Sequence, residues 1–431
     1  MTLAPDPITD AVASSETAGC PIAHGGSNVQ FNPFIVPNFA DVYPSLALAR
    51  AENPVHFSEA MHMWIVTRYD DAVEILRDPD TFSSSTRPVI LSQFVDEARE
   101  ILATTDTFAA PNMGFDANPD HDRLRRPVSA YFSAKGIAGL EPRIRELAQH
   151  HLDRIPTTGP VDLNELYSRP LANQSILSVV GLPTEDYEQI MRYHDAVAAF
   201  FFGNPPPEDQ VQHARDVKEW EEYLTDFIDS RRRQPQDDLT SYLLQKVADG
   251  RAEYSQEEIV GFLSFDIVTA GIRPTAFALS NLVSELLQER PYWNRLLNDA
   301  TSFDAAFNES LRRTALSIGV FRQATTDVEV NGVTIPAGSV VWVMVCSTSR
   351  DETQFPNADT FNPHRENLSS SLHFSHGLHY CLGSSLAKAV ARIGLELLQA
   401  RYPNLRLTPD QTVEYEPSIN LMVPTKVLVE W

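Results

Sequence analysis

Phe374-Ser-His-Gly377-Leu-His379-Tyr-Cys381-Leu-Gly383 is the stretch on which the reading of this chain turns. It sets one thiol, Cys381, between two glycines, with His379 just upstream and a helical pattern from about Ser384 to Arg401 just downstream. Glycine lets the backbone approach a flat ligand closely, amides at a helix start favour negative charge, and imidazole supplies a hydrogen-bond donor. Such surroundings are expected to favour a thiolate. A buried cysteine in a glycine-rich turn is the plain alternative, so the rest of the chain has to agree.

Upstream, Ser255-Gln-Glu-Glu258 spaces a cap serine and a glutamate as a capping box does. The text that follows predicts one long helix to about Arg290, apolar nearly all round from Phe262 to Leu279, as a core helix should be. Pro274 removes the hydrogen bond to the Ala270 carbonyl, and Ala270-Gly271 thins the backbone, so a kink or bulge is expected there. Further helices are predicted over Asp70–Arg77 and Phe303–Thr314, strands over His62–Thr67 and Val340–Val345, and a hairpin about Asn331-Gly332. Gly203-Asn-Pro-Pro-Pro-Glu208 separates two helices. With no repeat and no linker, the expectation is one mainly α domain with a smaller β part over residues 31–431. A flexible arm over residues 1–30 precedes it.

The 431 residues are 43% hydrophobic and 21% charged, which excludes a disordered chain. Asp and Glu number 58 against 34 Lys and Arg, a net charge of -24, so a broad nucleic-acid footprint and non-specific attraction to anionic membranes are not expected. Cys20, Cys346 and Cys381 are too few and too scattered for a disulfide framework. The first residues lack the basic start and apolar core of a signal peptide, and no run of about 18 uncharged apolar residues occurs. A cytoplasmic location is expected. Cys20 and His24 lack the further ligands zinc needs, and no phosphate-loop, zinc-protease or nucleophilic-serine motif is present.

A lone thiolate with an aromatic such as Phe374 beside it suits haem iron. The unbroken pattern F-x-x-G-x-H-x-C-x-G resembles the haem-ligand signature of the cytochromes P450, and further stretches agree in the family's order. Glu309-Ser-Leu-Arg312 matches its E-x-x-R, two side chains on one helix face. Arg365 in Phe361-Asn-Pro-His-Arg365 matches the arginine that joins them, with Asn362 where an Asp is more usual. His121-Asp-Arg-Leu-Arg125 resembles the H-x-x-x-R of the helix that grips the haem propionates, and Arg322 follows Glu309 at the family's distance.

The resemblance spans about Asn32 to Trp431 and implies the P450 fold, a triangular-prism-like domain with a long central helix. It implies haem b on Cys381, with Phe374, Gly383, Ala270 and Gly271 against the ring and His121, Arg125, Arg322 and His379 as propionate donors. Substrate would lie beneath Ala270 to Thr275, walled by Ser83 to Gly114, the Phe200–Phe202 neighbourhood, Ser317 to Phe321 and Ile419 to Met422. Those walls suit a small or medium, largely apolar molecule. Dioxygen would be the oxidant, and two electrons would come from outside, through a ferredoxin and its reductase. The ferredoxin would dock on the Cys face, where Arg123, Arg126, Lys388 and Arg392 could form a basic island.

The chain departs from the family at the helix centre. Where most P450s read A/G-G-x-D/E-T, this one reads Ala270-Gly271-Ile272-Arg273-Pro274-Thr275, so the acid and alcohol that relay protons are gone. Three outcomes are open. Thr275 or ordered water substitutes, and the protein hydroxylates or O-dealkylates with dioxygen. Arg273 binds a substrate carboxylate or phenolate that lends acid–base help, as in the superfamily's peroxygenases, which use hydrogen peroxide. Or the substrate is coupled or desaturated. From other classes come a haem-binding sensor without turnover and a structural protein without haem.

Overall fold

The computed structural model describes residues 42–431 except 297–298, 300–301, 410, 412–414 and 417, so the arm expected over residues 1–30, with Cys20 and His24, lies outside the described residues. The helices that build the site are α1 (Asp120–Ser129), α2 (Arg169–Val180), α3 (Tyr187–Phe202), α4 (Gln256–Gln288), α5 (Phe303–Thr314) and α6 (Ser384–Arg401). Alpha4 starts where the capping box requires: Ser255 Oγ accepts the Glu258 N–H at 3.2 Å, and the Glu258 carboxylate accepts the Ser255 N–H at 2.8 Å. It ends at Gln288, and a separate helix begins at Arg290, because Pro291 has no N–H to continue the ladder.

By length and composition α4 could cross a membrane, yet 72% of its apolar window is buried in the fold, so it is the core helix. Alpha2, α5 and α6 pack around it. Gly394 permits the closest of these approaches, since a Cβ there would stand 2.9 Å from Leu279 and 3.0 Å from Leu171. The expected distortion is present but lies upstream of its expected place. Phe262–Thr269 is a π-helix, in which the Ala270 N–H reaches back to the Phe265 carbonyl and Thr269 Oγ1 donates to the Ser264 carbonyl at 2.8 Å. Pro274 then sits inside the regular α-helical part, Ala270–Gln288.

The largest sheet of the β part has five strands in the order β1-β2-β5-β4-β3, made of Val55–Ser58, Met63–Val66, Val340–Val343, Val320–Ala324 and Phe82–Ser83 respectively. Beta2 and β5 run parallel, with Ile65 opposite Trp342, and the other pairs are antiparallel. The strand expected to reach Val345 stops at Val343, and Val345–Thr348 turns helical with the Cys346 N–H given to the Ile318 carbonyl. Asn331 and Gly332 both have positive φ, 49° and 76°, which the two-residue hairpin turn requires.

Candidate active site

Cys381 lies where the loop after Phe374 meets α6. Its N–H donates to the Phe374 carbonyl at 2.9 Å, closing the loop. Gly377 is obligatory there: its φ is 70°, and a Cβ would stand 2.5 Å from the Leu76 carbonyl oxygen. The amides of Gly383 and Ser384 point at the sulfur, but burial outweighs them and the Arg125 charge, and pushes the free thiol's pKa up. Contrary to expectation, then, the polypeptide alone does not favour the thiolate. A bound cation would, because a coordinating thiol is deprotonated outright.

Above the sulfur is a cavity of about 400 Å³. Cys381, Phe374 and Gly383 line one side, and Ala270, Gly271, Pro274 and Thr275 of α4 line another. Each wall expected from sequence contributes: Ser84 and Met113, Phe201 and Phe202, Ser317 and Phe321, Asn420 and Leu421. Phe200 does not; it packs against Phe94 at 4.8 Å in the core.

Arg322 and His379 line this cavity with no anionic partner among the described residues, and His121 stands beside His379. Arg322 is 5% exposed, its guanidinium bonds the carbonyl of its own neighbour Phe321 at 2.7 Å, and burial drops its pKa to about 10. His379 donates Nδ1–H to the Met113 carbonyl at 3.1 Å and His121 faces Asp122 through Nδ1 at 3.1 Å. The Nε2 atoms of both rings are buried without a partner, and the rings meet edge to face at 4.8 Å. Burial, then the charges of Arg322 and His121, hold His379 down to about 3. Arg125 also lines the cavity and donates to the Tyr380 carbonyl at 2.5 Å.

On α5 a charged pair, Glu309 and Arg312, is fully buried and is joined by the partly buried Arg365. Glu309 takes two bonds from Arg312, at 2.7 and 2.8 Å, and one from Arg365 at 3.1 Å, and Glu309 and Arg312 are both 0% exposed. Arg312 also holds the carbonyls of Ser349 and Ala358, and Arg365 those of Pro356, Asn357 and Thr360. Asn362, the departure from the usual Asp, gives its N–H to Glu309 at 2.8 Å and accepts the His364 N–H at 3.0 Å, so the turn is kept.

Comparison with known proteins settles the family. The Cytochrome P450 family model matches residues 295–427. Mycinamicin IV hydroxylase/epoxidase of Micromonospora griseorubida is 32% identical over 375 residues, 85% of this chain and 89% of that one. This chain is a cytochrome P450. Nocardicin C N-oxygenase of Nocardia uniformis subsp. tsuyamanensis is 31% identical over 93% of this P450 and 98% of its own length. Among solved structures, cytochrome P450 CREJ in complex with (4-ethylphenyl) dihydrogen phosphate superposes with a TM-score of 0.86 at 28% identity, covering 94% of this chain and 100% of that one. The protein is thus a haem-thiolate monooxygenase.

The residues present fit the haem this P450 implies. Two imidazoles with orphaned Nε2 atoms and a buried guanidinium are a donor set for two carboxylates. Both rings use Nδ1–H internally, so each donates from Nε2 only as imidazolium, which an adjacent carboxylate stabilises. Gly383 adds the clearance: a Cβ there would meet no protein atom within 4 Å.

Two expectations are corrected. Arg273 does not line the cavity of this P450; it turns toward Asp195 of α3, 3.6 Å away. A carboxylate on that neighbouring helix attracts the guanidinium outward, so it is not placed to bind a substrate's acid group beside the sulfur. The basic island is largely neutralised too. Arg123 pairs with Asp120 and Glu258, Lys388 lies 3.6 Å from Asp304, and Arg392 pairs with Glu141 at 2.6 Å. Arg126 stays exposed. One cavity residue went unremarked in the sequence, Asp266, although its signal was available: a carboxylate within the apolar stretch Phe262–Leu279.

Proposed function

We propose that this P450 inserts one oxygen atom from dioxygen into a small or medium, largely apolar substrate, by hydroxylation or O-dealkylation, with electrons from a separate ferredoxin and its reductase. Cys381 holds the haem iron and His121, Arg125, Arg322 and His379 hold the propionates, with Phe374, Gly383, Ala270 and Gly271 against the ring. The carrying observation is the cavity with Cys381 in its wall, flanked by the buried Arg322 guanidinium and by the unpartnered Nε2 atoms of His121 and His379. When bound, haem supplies the oxidising power for C–H attack. The chain's own part is to bind substrate against apolar walls, exclude water and deliver protons. Cys346 and Cys381 are free, in keeping with a reducing, cytoplasmic location.

Proton delivery falls to Thr275 and ordered water. Thr275 lines the cavity and is 5% exposed, Pro274 offers no hydroxyl, and Arg273 is turned to Asp195. The peroxygenase reading needs Arg273 in the wall and loses its geometric support. Exchanging Arg273-Pro274 for Asp-Thr is expected to raise severalfold the fraction of electrons that reach product. Asp195 is 63% exposed and keeps its bond to His194 at 3.0 Å, so water screens it from the carboxylate introduced at residue 273. Product formed per electron is the measurement, and an unchanged ratio would mean the missing pair does not limit the reaction.

Arg322→Leu is expected to weaken haem retention by about tenfold to a hundredfold, read from the rate of haem transfer to a scavenger protein. Unaltered retention would remove Arg322 from the propionate set. The whole reading is tested by substrate-dependent oxygen consumption with a surrogate ferredoxin and reductase. A haem-loaded protein inert with every reductant and with peroxide would instead be a sensor.

A further inference from the structure

Asp266 supplies the only carboxyl group among the described residues lining the cavity. It lies in the π-helical segment of α4, four residues before Ala270. Its side chain is half-buried, and its open side gives on the cavity it lines. Its protein partners are weak. Oδ2 accepts the Met113 N–H at a long 3.3 Å, and the Gly114 amide points at the same group.

The cations nearby are committed elsewhere. Arg87 forks onto Asp116 at 2.8 and 3.1 Å, gives Nη1 to the Ala110 carbonyl at 2.5 Å and stands 5.9 Å from the centroid of the Phe115 ring, while Arg125 donates to the Tyr380 carbonyl. Aromatic rings share the cavity wall with Asp266. Phe115, Phe201 and Phe265 all line the cavity, and their ring centroids are 5.3, 5.0 and 4.2 Å apart pairwise. Ring faces attract cations, and a carboxylate without a counter-ion does so more strongly. A substrate anion would be repelled, and a purely apolar one would leave the carboxyl group with only the Met113 and Gly114 amides to offset its burial.

We propose that Asp266 anchors the substrate through a cationic nitrogen, an alkylammonium group seated between its carboxylate and the rings of Phe115, Phe201 and Phe265. The apolar remainder of the molecule then extends beneath Ala270 to Thr275, toward the face of the haem that Cys381 does not hold. The inference rests on the monooxygenase reading and narrows its substrate class to apolar molecules with one basic nitrogen.

The charged or titratable groups facing Asp266 are Arg87 and Asp116, which pair with each other, Arg125 of α1, and Tyr254 ahead of α4. Burial raises the Asp266 pKa to about 7, against the Met113 and Gly114 amides and Arg87. The carboxyl group therefore ionises as pH rises through neutrality, and cation binding tightens in that direction.

The test titrates the holoprotein, by calorimetry, with a phenylalkyl trimethylammonium salt and with its carbon isostere, in which tert-butyl replaces trimethylammonium. A quaternary nitrogen has no lone pair for iron, so direct ligation does not confuse the result. The cation is expected to bind on the order of tenfold more tightly than the isostere, with the preference growing from about pH 6 to about pH 8. In Asp266→Asn the preference should collapse while the isostere binds as before. Equal binding of the two compounds at the higher pH, no binding of the cation, or a preference intact in Asp266→Asn would overturn the proposal. If Asp266→Asn fails to fold, the wild-type pH series decides, and a pH-independent preference overturns it. The reduced, CO-treated spectrum of the same wild-type sample separates the two readings. A thiolate-type Soret band without cation preference sinks the anchor alone, and its absence sinks the monooxygenase assignment.

Discussion

Cys381→Ser is expected to lower oxygen insertion by more than about a hundredfold, beyond the loss usual for partners outside a metal's ligand set, and to leave the helical fold in place. Serine differs by one atom, so the loop closed by the residue 381 N–H and the Phe374 carbonyl should survive. What disappears is a group that a coordinated metal cation deprotonates outright. Burial already pushes the thiol up, and a hydroxyl in the same place is harder still to deprotonate, so the negative charge given to the iron is lost. The propionate set does not depend on residue 381, so haem should still bind, less tightly. Turnover and haem content measured together check this. Wild-type turnover in the serine variant would contradict the assignment.

Glu309→Ala is expected to cost about 3–5 kcal/mol of stability, the penalty for leaving a buried charge without its partner. Here two guanidiniums are stranded, Arg312 at 0% exposure and Arg365 beside it, and the Asn362 N–H loses its acceptor. Against a total stability of about 5–15 kcal/mol, much of the protein should fail to accumulate folded. Denaturant unfolding measures the difference. A loss below about 1 kcal/mol, as for an exposed ion pair, would mean that the cluster does not hold the loop at Asn362 to α5.

What was legible in the sequence was mostly what short stretches specify. The capping box at Ser255, the helix Phe303–Thr314, the Asn331-Gly332 hairpin and the glycine-bearing loop before Cys381 each depend on neighbours along the chain. The parts misjudged depend on distant partners. The outward turn of Arg273 is tied to Asp195 on another helix, and the loss of the basic island to Glu141, Glu258 and Asp304 on three others. The defect in α4 was misplaced: Pro274 sits in regular helix, and the wide turns fall before it, where the Thr269 hydroxyl donates to the Ser264 carbonyl. The polarity of Cys381 was misjudged because local amides were weighed and burial, a property of the whole fold, was not.

The central claim is that the sulfur of Cys381 gives its charge to haem iron. The most direct test is the absorbance of the purified wild-type protein, grown with haem precursor, after reduction and exposure to carbon monoxide. The account predicts the red-shifted Soret band of thiolate ligation. A haem-free protein, or the unshifted band of a neutral ligand in a natively folded sample, would contradict it.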